Sequence, residues 1–264
     1  MDLGLRGKRA LVTGSTAGIG LAAARMLAAE GAEVVINGRT EERVRAAVAS
    51  ITEQVPGAQV RGIAADMGTA EGAAQIVREE PEIDVLVNNV GIFAPAAFEA
   101  IPDADWMRFF EVNVMSGVRL SRAYLPGMRA RDWGRIVFIS SESAVQIPSE
   151  MIHYGMTKTA QVAVARGIAE TTSGTGITAN SVLPGPTDSE GVGTFVADLA
   201  KERGISFEEM EREFFASARP SSLLQRFATP DEVAAMIVYT CSQQASATNG
   251  AALRVDGGVI RAIL

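Results

Sequence analysis

The segment Thr13-Gly-Ser-Thr-Ala-Gly-Ile-Gly20 constrains the fold most. It follows the apolar run Arg9-Ala-Leu-Val-Thr13 and leads into Leu21-Ala-Ala-Ala-Arg-Met-Leu-Ala-Ala-Glu30, whose pattern reads as a helix. Glycines 14, 18 and 20 reach torsions and close approaches that other residues cannot, and a helix start offers free N–H groups to an anion. Gly31 ends the helix and Ala32-Glu-Val-Val-Ile-Asn37 reads as the next strand. Residues 9–37 are therefore a βαβ unit, which requires two parallel strands with a helix packed across them. The glycine spacing, G-x-x-x-G-x-G, departs from the G-x-G-x-x-G dinucleotide fingerprint. On spacing alone, a dinucleotide cradle and an ordinary tight βα turn both fit.

The same alternation continues along the chain. Strands are predicted near 9–13, 33–37, 60–64, 85–88, 135–140, 178–183 and 252–255, and helices near 18–30, 41–53, 70–79, 103–129, 154–170 and 230–241. That order implies a doubly wound parallel α/β sheet with helices on both faces. A length of 264 residues suits one such domain, and no repeat, low-complexity tract or proline-rich linker marks a second. No apolar run is long enough to span a membrane, and the N-terminal residues lack the apolar core of a signal peptide, so a soluble cytoplasmic protein is expected. A net charge of −7 argues against a nucleic-acid partner. The single cysteine, Cys241, excludes an internal disulfide and a multi-thiolate metal site, and reads as buried packing.

Tyr154 and Lys158 stand four residues apart in a chain with only three tyrosines. On a helix that spacing puts both on one face. A fixed positive charge near a phenol favours the phenolate, so the tyrosine pKa is expected to fall from about 10 toward neutrality, making Tyr154 a candidate acid/base. Ser141 lies thirteen residues earlier, at the end of Arg135-Ile-Val-Phe-Ile-Ser-Ser141. Side chains alternate along a strand, so only one of Ser140 and Ser141 should face the site.

Taken together, these pieces resemble the short-chain dehydrogenase/reductase family over nearly the whole chain. The matching residues are Thr13-Gly-x-x-x-Gly-x-Gly20, Asp66, Asn88-Asn-Val-Gly91, Asn113, Ser141, Tyr154-x-x-x-Lys158, Pro184-Gly185 and Val255-Asp-Gly-Gly258. The resemblance implies a Rossmann-like fold, a nicotinamide cofactor, a carbonyl or alcohol substrate and a homotetramer. It implies that Tyr154 donates the proton, that Ser141 holds the substrate oxygen and that Lys158 supports the phenolate. Asn113 would hold the water and backbone geometry around Lys158. The members it is most similar to are the 3-oxoacyl-thioester reductases. An NAD-dependent alcohol dehydrogenase and a non-catalytic nucleotide sensor are the competing readings, and the intact Asn113, Ser141, Tyr154 and Lys158 set argues against the sensor.

Cofactor contacts are expected from Gly14, Ser15, Thr16, Gly18, Ile19 and Gly20 in the loop. Asp66 and Met67 should flank the adenine, and Asn89 and Gly91 should line the site through their backbones. An NAD site calls for a carboxylate at the end of the second strand, but Val34-Val-Ile-Asn-Gly38 ends in glycine and Arg39 follows. A guanidinium there suits a 2′-phosphate, so NADP is favoured over NAD. Against it, Ala17 stands where the family's other NADP mark, a basic residue, would be. Pro184, Gly185 and Thr187 should meet the nicotinamide end, and the family's usual threonine position falls on Ser189, leaving open which hydroxyl holds the carboxamide. His153, beside Tyr154, should point about 100° away and serve as a pocket wall or surface residue. Met151, Ile152, Val145 and Ile147 should help shape the pocket. Residues 188–225 lack a strand pattern and carry Phe195, Val196, Leu199, Met210, Phe214 and Phe215 among charges. Two short helices forming a substrate lid are expected there.

Overall fold

Seven strands form one parallel sheet in the order β3-β2-β1-β4-β5-β6-β7. The strands are β1 (Arg9–Val12), β2 (Glu33–Gly38), β3 (Val60–Ala64), β4 (Val85–Asn88), β5 (Gly134–Ile139), β6 (Ile177–Pro184) and β7 (Ala252–Val255). This computed structural model describes residues 1–263, with the side chains of residues 191, 192, 194, 195 and 197–199 excepted. Every predicted strand is present. The pairing starts outward from β1, which lies between β2 and β4. At that junction the winding changes direction, and the ends of neighbouring strands diverge into a crevice that can admit a ligand.

Period-two alternation builds the two faces. Ala10, Val12, Val34, Ile36, Val85, Val87, Val137 and Ile139 point to one side, where they meet Leu27 of α1 (Gly18–Ala29), Val44 and Ile51 of α2 (Glu41–Gln54), and Val233 and Ile237 near the C-terminus. Leu11, Val35, Leu86, Ile136 and Phe138 point to the other and meet Ile76 of α3 (Ala70–Glu79) and Leu120 and Met128 farther along the chain. Each such aliphatic side chain, fully removed from water, contributes about 1.5–3 kcal/mol. The central strands therefore need no polar face, and their sequences are near-continuous apolar runs.

The long helix expected over 103–129 is divided. α4 (Asp103–Phe110) passes through a π turn at Glu111–Met115 into α5 (Ser116–Ala130). Such turns insert a residue into the helical ladder and recur at functional sites. Asn113 lies inside this one, fully buried. α6 (Ile152–Thr171) starts two residues before its expected position. Residues 188–225 hold two helices as expected, α7 (Glu190–Arg203) and α8 (Phe207–Ser217), and α9 is Pro230–Cys241. α8 opens with a capping box between Ser206 and Glu209. Val196, Met210, Phe215 and Phe227 form a separate small core for this pair. Phe195 and Leu199, expected to share that buried face, lie outside the residues whose side chains are described. Cys241 is fully buried and its thiol is pushed up to about 12 by burial, so it is packing, as expected. No helix among the described residues is long and apolar enough to cross a membrane, and no cluster of His, Cys, Asp and Glu among them could hold a metal ion.

Candidate active site

The carboxyl ends of β1, β4, β5 and β6 converge on a cavity of about 480 Å³ lined by Asn89, Gly91, Ser141, Tyr154, Lys158, Gly185 and Ser189 among others. Residues that the sequence scatters over a hundred positions meet there.

Two stitches fasten α6 to the end of β5. Ser140 Oγ donates to the Lys158 carbonyl at 2.8 Å, and Lys158 Nζ donates to the Ile139 carbonyl at 2.8 Å. These fix the helix that carries Tyr154, whose ring packs edge-on to Phe93 and has the Lys158 ammonium 5.6 Å from its centroid. Asn113 acts from the π turn. Its side chain accepts from the Ile92 N–H at 2.7 Å and donates to the Ile92 carbonyl and to Thr157 Oγ1, both at 3.0 Å. Thr157 in turn donates to the Tyr154 carbonyl at 2.7 Å, so Asn113 holds the first turn of α6 in place. Its own carbonyl accepts from Gln161 Nε2 at 2.6 Å, a partner not anticipated from the sequence. Gly91 lies close under Lys158: a Cβ there would be 3.3 Å from Lys158 Nζ.

Of the two serines, Ser140 is spent on the α6 backbone and Ser141 faces the tyrosine. The Ser141 hydroxyl donates to Glu142 Oε2, a partner that sequence reasoning missed. Glu142 is almost fully buried. Its Oε2 also accepts from Ser143 N at 2.7 Å and Ser143 Oγ at 2.9 Å, and its Oε1 accepts from Arg219 Nε at 2.8 Å. Arg219, itself buried just beyond α8, reaches Glu150 Oε1 at 3.3 Å. The only local signal was a carboxylate following directly on a buried strand; the pairing spans 77 residues and leaves no trace in spacing.

One expectation is reversed. The Tyr154 phenol is raised above its usual value, first by removal from water and then by the Glu142 charge, with Ser141 and Arg219 opposing. Lys158 cannot enforce the phenolate, because burial lowers its own pKa to about 7. The phenol is therefore protonated at neutral pH.

The loop at 13–20 forms a cradle. Gly14 and Gly18 have φ of +60° and +54°, in the left-handed region. A Cβ on Gly20 would lie 2.5 Å from Asn89 Nδ2 and 2.6 Å from the Gly14 carbonyl. Asn89 Nδ2 donates to the Thr13 and Gly14 carbonyls at 3.0 and 2.9 Å, fastening the loop to the end of β4. Ser15 turns inward, donating to the Val12 carbonyl at 2.6 Å, so its hydroxyl does not face a ligand. The start of α1 has no side-chain cap and no acidic residue in its first turn, which leaves its N–H groups available to an anion. Thr16 packs so closely under Gly38 that a Cβ at 38 would lie 2.4 Å from Thr16 Cγ2. A larger residue there would require Thr16 to move. Arg39 is exposed, with no hydrogen bond or ion pair among the described residues. Ile19 lines the cavity.

Several other expectations need correction. Met67 is 2% exposed and packs in the core, so only its backbone can border a ligand; Asp66 is exposed, with Oδ1 accepting from Gly68 N at 2.9 Å. Thr187 Oγ1 donates to the Gly185 carbonyl at 2.9 Å, whereas Ser189 makes no cap bond to α7 and lies against Gly18. Pro184 and Gly185 line the cavity as expected. His153 is neither wall nor surface. It is buried between Phe109 and Trp106 of α4, at 4.0 and 5.9 Å between ring centroids, because its turn on α6 faces α4. Of the four pocket-shaping apolar residues, Met151 lines the cavity, while Val145 and Ile147 are largely exposed and Ile152 is not among the lining residues.

Residues 8–200 match the family of short chain dehydrogenases. The chain is 48% identical over 263 residues to the uncharacterized oxidoreductase YvaG of Bacillus subtilis, covering all of both chains. It is 36% identical to the D-beta-hydroxybutyrate dehydrogenase of Cupriavidus necator, covering 96% of this chain and 98% of that one. Its fold matches the crystal structure of L-sorbose reductase from Gluconobacter frateurii, complexed with NADPH and L-sorbose, with a TM-score of 0.93 and 32% identity over the whole of both chains. The chain belongs to the short-chain dehydrogenase family and is an oxidoreductase.

The Lys158 environment gives a stability signature. Between about pH 7 and its ordinary value of 10.5, the unfolded chain holds a proton that the folded chain has released, so stability should rise with pH across that window. Lys158→Met should remove the rise. Melting temperatures of both proteins from about pH 6.5 to 9.5 check this, and an equal rise in the variant would assign the effect to another group.

Proposed function

We propose that the protein reduces a ketone or 3-oxoacyl-type carbonyl with NADPH, Tyr154 giving the proton. The observation that carries this reading is the meeting of Ser141, Tyr154 and Lys158 on one cavity, with the Tyr154 turn held by Asn113 through Thr157. A hydride arriving at a carbonyl carbon leaves negative charge on oxygen, and a positioned donor accelerates such a step by about 10²–10⁴-fold. Ser141, released from Glu142, would hold the carbonyl oxygen. Asn113 and Thr157 would keep the Tyr154 turn in register.

The residues present fit a dinucleotide. Gly14, Thr16, Gly18, Ile19 and Gly20 would take the pyrophosphate at the α1 start, and Asp66 with the Met67 backbone would border the adenine. Asn89 and Gly91 would line the middle of the site, and Tyr154 and Lys158 would meet the ribose hydroxyls. Pro184, Gly185 and Thr187 would wall the nicotinamide end, with the Ser189 hydroxyl holding the carboxamide. The bound cofactor supplies the hydride. Arg39, without a partner among the described residues and beside the close-packed Gly38, supports a 2′-phosphate over a bare ribose. The runner-up, an NAD-dependent alcohol dehydrogenase, has the likeness to D-beta-hydroxybutyrate dehydrogenase in its favour. We assign α7 and α8 the role of a lid, because Val196, Phe214 and Arg219 close one side of the cavity from that segment.

Tyr154→Phe should lower turnover by at least about two orders of magnitude while NADPH binding changes little. Retention of more than about a tenth of the wild-type rate would remove Tyr154 from the role.

NADPH should bind about ten- to a hundredfold more tightly than NADH, the range that one charge-assisted contact supplies, and Arg39→Ala should erase most of that preference. Fluorescence titration of both cofactors decides it, with equal or reversed wild-type affinities favouring the NAD-dependent reading.

Amide hydrogen exchange over residues 188–225 should slow when NADPH and a substrate analogue bind together. Strong protection in the free protein, unchanged by ligands, would make the segment a fixed wall.

A further inference from the structure

The cavity wall beside Ser141 carries a charged pair that hydride and proton transfer do not require. We propose that Glu142 and Arg219 are specificity-determining residues that read a hydroxyl next to the reacting carbonyl, so that the substrate is an α-hydroxy ketone. The inference rests on the reading of this cavity as a carbonyl-reduction site.

The geometry is complementary to a carbonyl with a neighbouring hydroxyl. Glu142 Oε2 already accepts three hydrogen bonds, from Ser141 Oγ, Ser143 N and Ser143 Oγ. Oε1 accepts only Arg219 Nε among the described residues, which leaves it open to one more donor. Arg219 uses Nε on Glu142 and Nη1 on Glu150 and the Ala218 carbonyl, while Nη2 has no partner among the described residues. An acceptor and a donor thus stand side by side on the cavity wall. Glu142 is one hydrogen bond from Ser141 and Arg219 is two. A substrate whose carbonyl oxygen rests on Ser141 places its adjacent carbon against this pair.

Of an alkyl group, a carboxylate and a hydroxyl in that place, the first two are penalised. An alkyl group would cover a carboxylate and a guanidinium without replacing any hydrogen bond of theirs. A carboxylate would face Glu142 and Glu150 against the single charge of Arg219, with Lys158 drawn toward neutrality by its own burial. A hydroxyl donates to Oε1 and accepts from Nη2, satisfying both. Sites that bind a substrate hydroxyl in this way reject the analogue lacking it far more strongly than apolar pockets discriminate by size.

The test compares kcat/KM for hydroxyacetone, acetone and acetoacetate with NADPH. The wild type should prefer hydroxyacetone over acetone by at least about 100-fold, and should use acetoacetate no better than acetone. Glu142→Gln should cut the hydroxyacetone to acetone ratio by at least about tenfold, chiefly through KM. Arg219→Lys keeps the charge but loses the planar fork, and should reduce the ratio as well. A wild-type ratio under about tenfold, or a ratio preserved in both variants, would overturn the proposal. Binding supplies a readout without turnover: Tyr154→Phe holding NADPH should bind hydroxyacetone more tightly than acetone, measured by the fluorescence of the bound NADPH. Were no carbonyl reduced by the wild type, the reductase reading would fall. The binding comparison would still decide whether the wall reads a hydroxyl, with equal affinities refuting it.

Discussion

The pairing of β1 with both β2 and β4 governs where everything else in this molecule can lie. It sets the point at which successive crossovers part to opposite sides of the sheet, and so opens the crevice into which the ends of four strands project. Loops leaving those ends carry unpaired backbone groups, and asparagines at the strand ends satisfy them. Asn37 Oδ1 accepts from Gly14 N at 3.3 Å, and its Nδ2 donates to the Ile63 and Ala65 carbonyls at 3.2 and 3.0 Å. Asn89 does the same between β4 and the glycine loop. The cradle is thus braced from below, so its glycines face outward in a fixed shape. A braced cradle can bind an anion without the entropic cost of ordering a loop first.

Electrostatics at the centre of the site follow from which charges are paired. Lys158 is buried with a carbonyl as its hydrogen-bond partner, and Glu142 is buried with a guanidinium. A neutral partner leaves desolvation dominant, so the lysine drifts toward neutrality. Removal from water, and after it the neighbouring Glu142, disfavour a negative charge on Tyr154. Removing one member of such a buried pair leaves the other unsatisfied, which typically costs about 3–5 kcal/mol.

What the sequence made legible was local. The seven strands, the βαβ start and the Tyr154 to Lys158 spacing are encoded by neighbours within a few residues, where hydrophobic period and helix geometry act directly. Ser141 was separable from Ser140 because strand alternation turns one of them away. Relations made by tertiary packing were not legible. His153 was placed on the pocket or surface from its angle on the helix alone, but the partner helix α4 presents Phe109 and Trp106 to that angle. Met67 is drawn into the core although its neighbour Asp66 is exposed. The division at Glu111–Met115 has no proline or glycine to announce it. Its signature is the burial of Asn113 among partners from two other elements.

The largest omission, the Glu142 and Arg219 pair, shows why family-level reading stops short of a substrate. Ser141 follows β5, and Tyr154 and Lys158 lie on α6, whose positions the sheet fixes. The cavity is also lined by Val196, Phe214 and Arg219 from the stretch after β6, which returns to it through the small core of Met210, Phe215 and Phe227. That core is separate from the two main ones, so its helices can be altered without disturbing the sheet. Arg219 crosses the gap between these regions and is held at both ends of its reach, by Glu142 from the β5 side and Glu150 from the approach to α6. A charge in that position ties the segment after β6 to the end of β5 and to the approach to α6, across the boundary between the small core and the sheet.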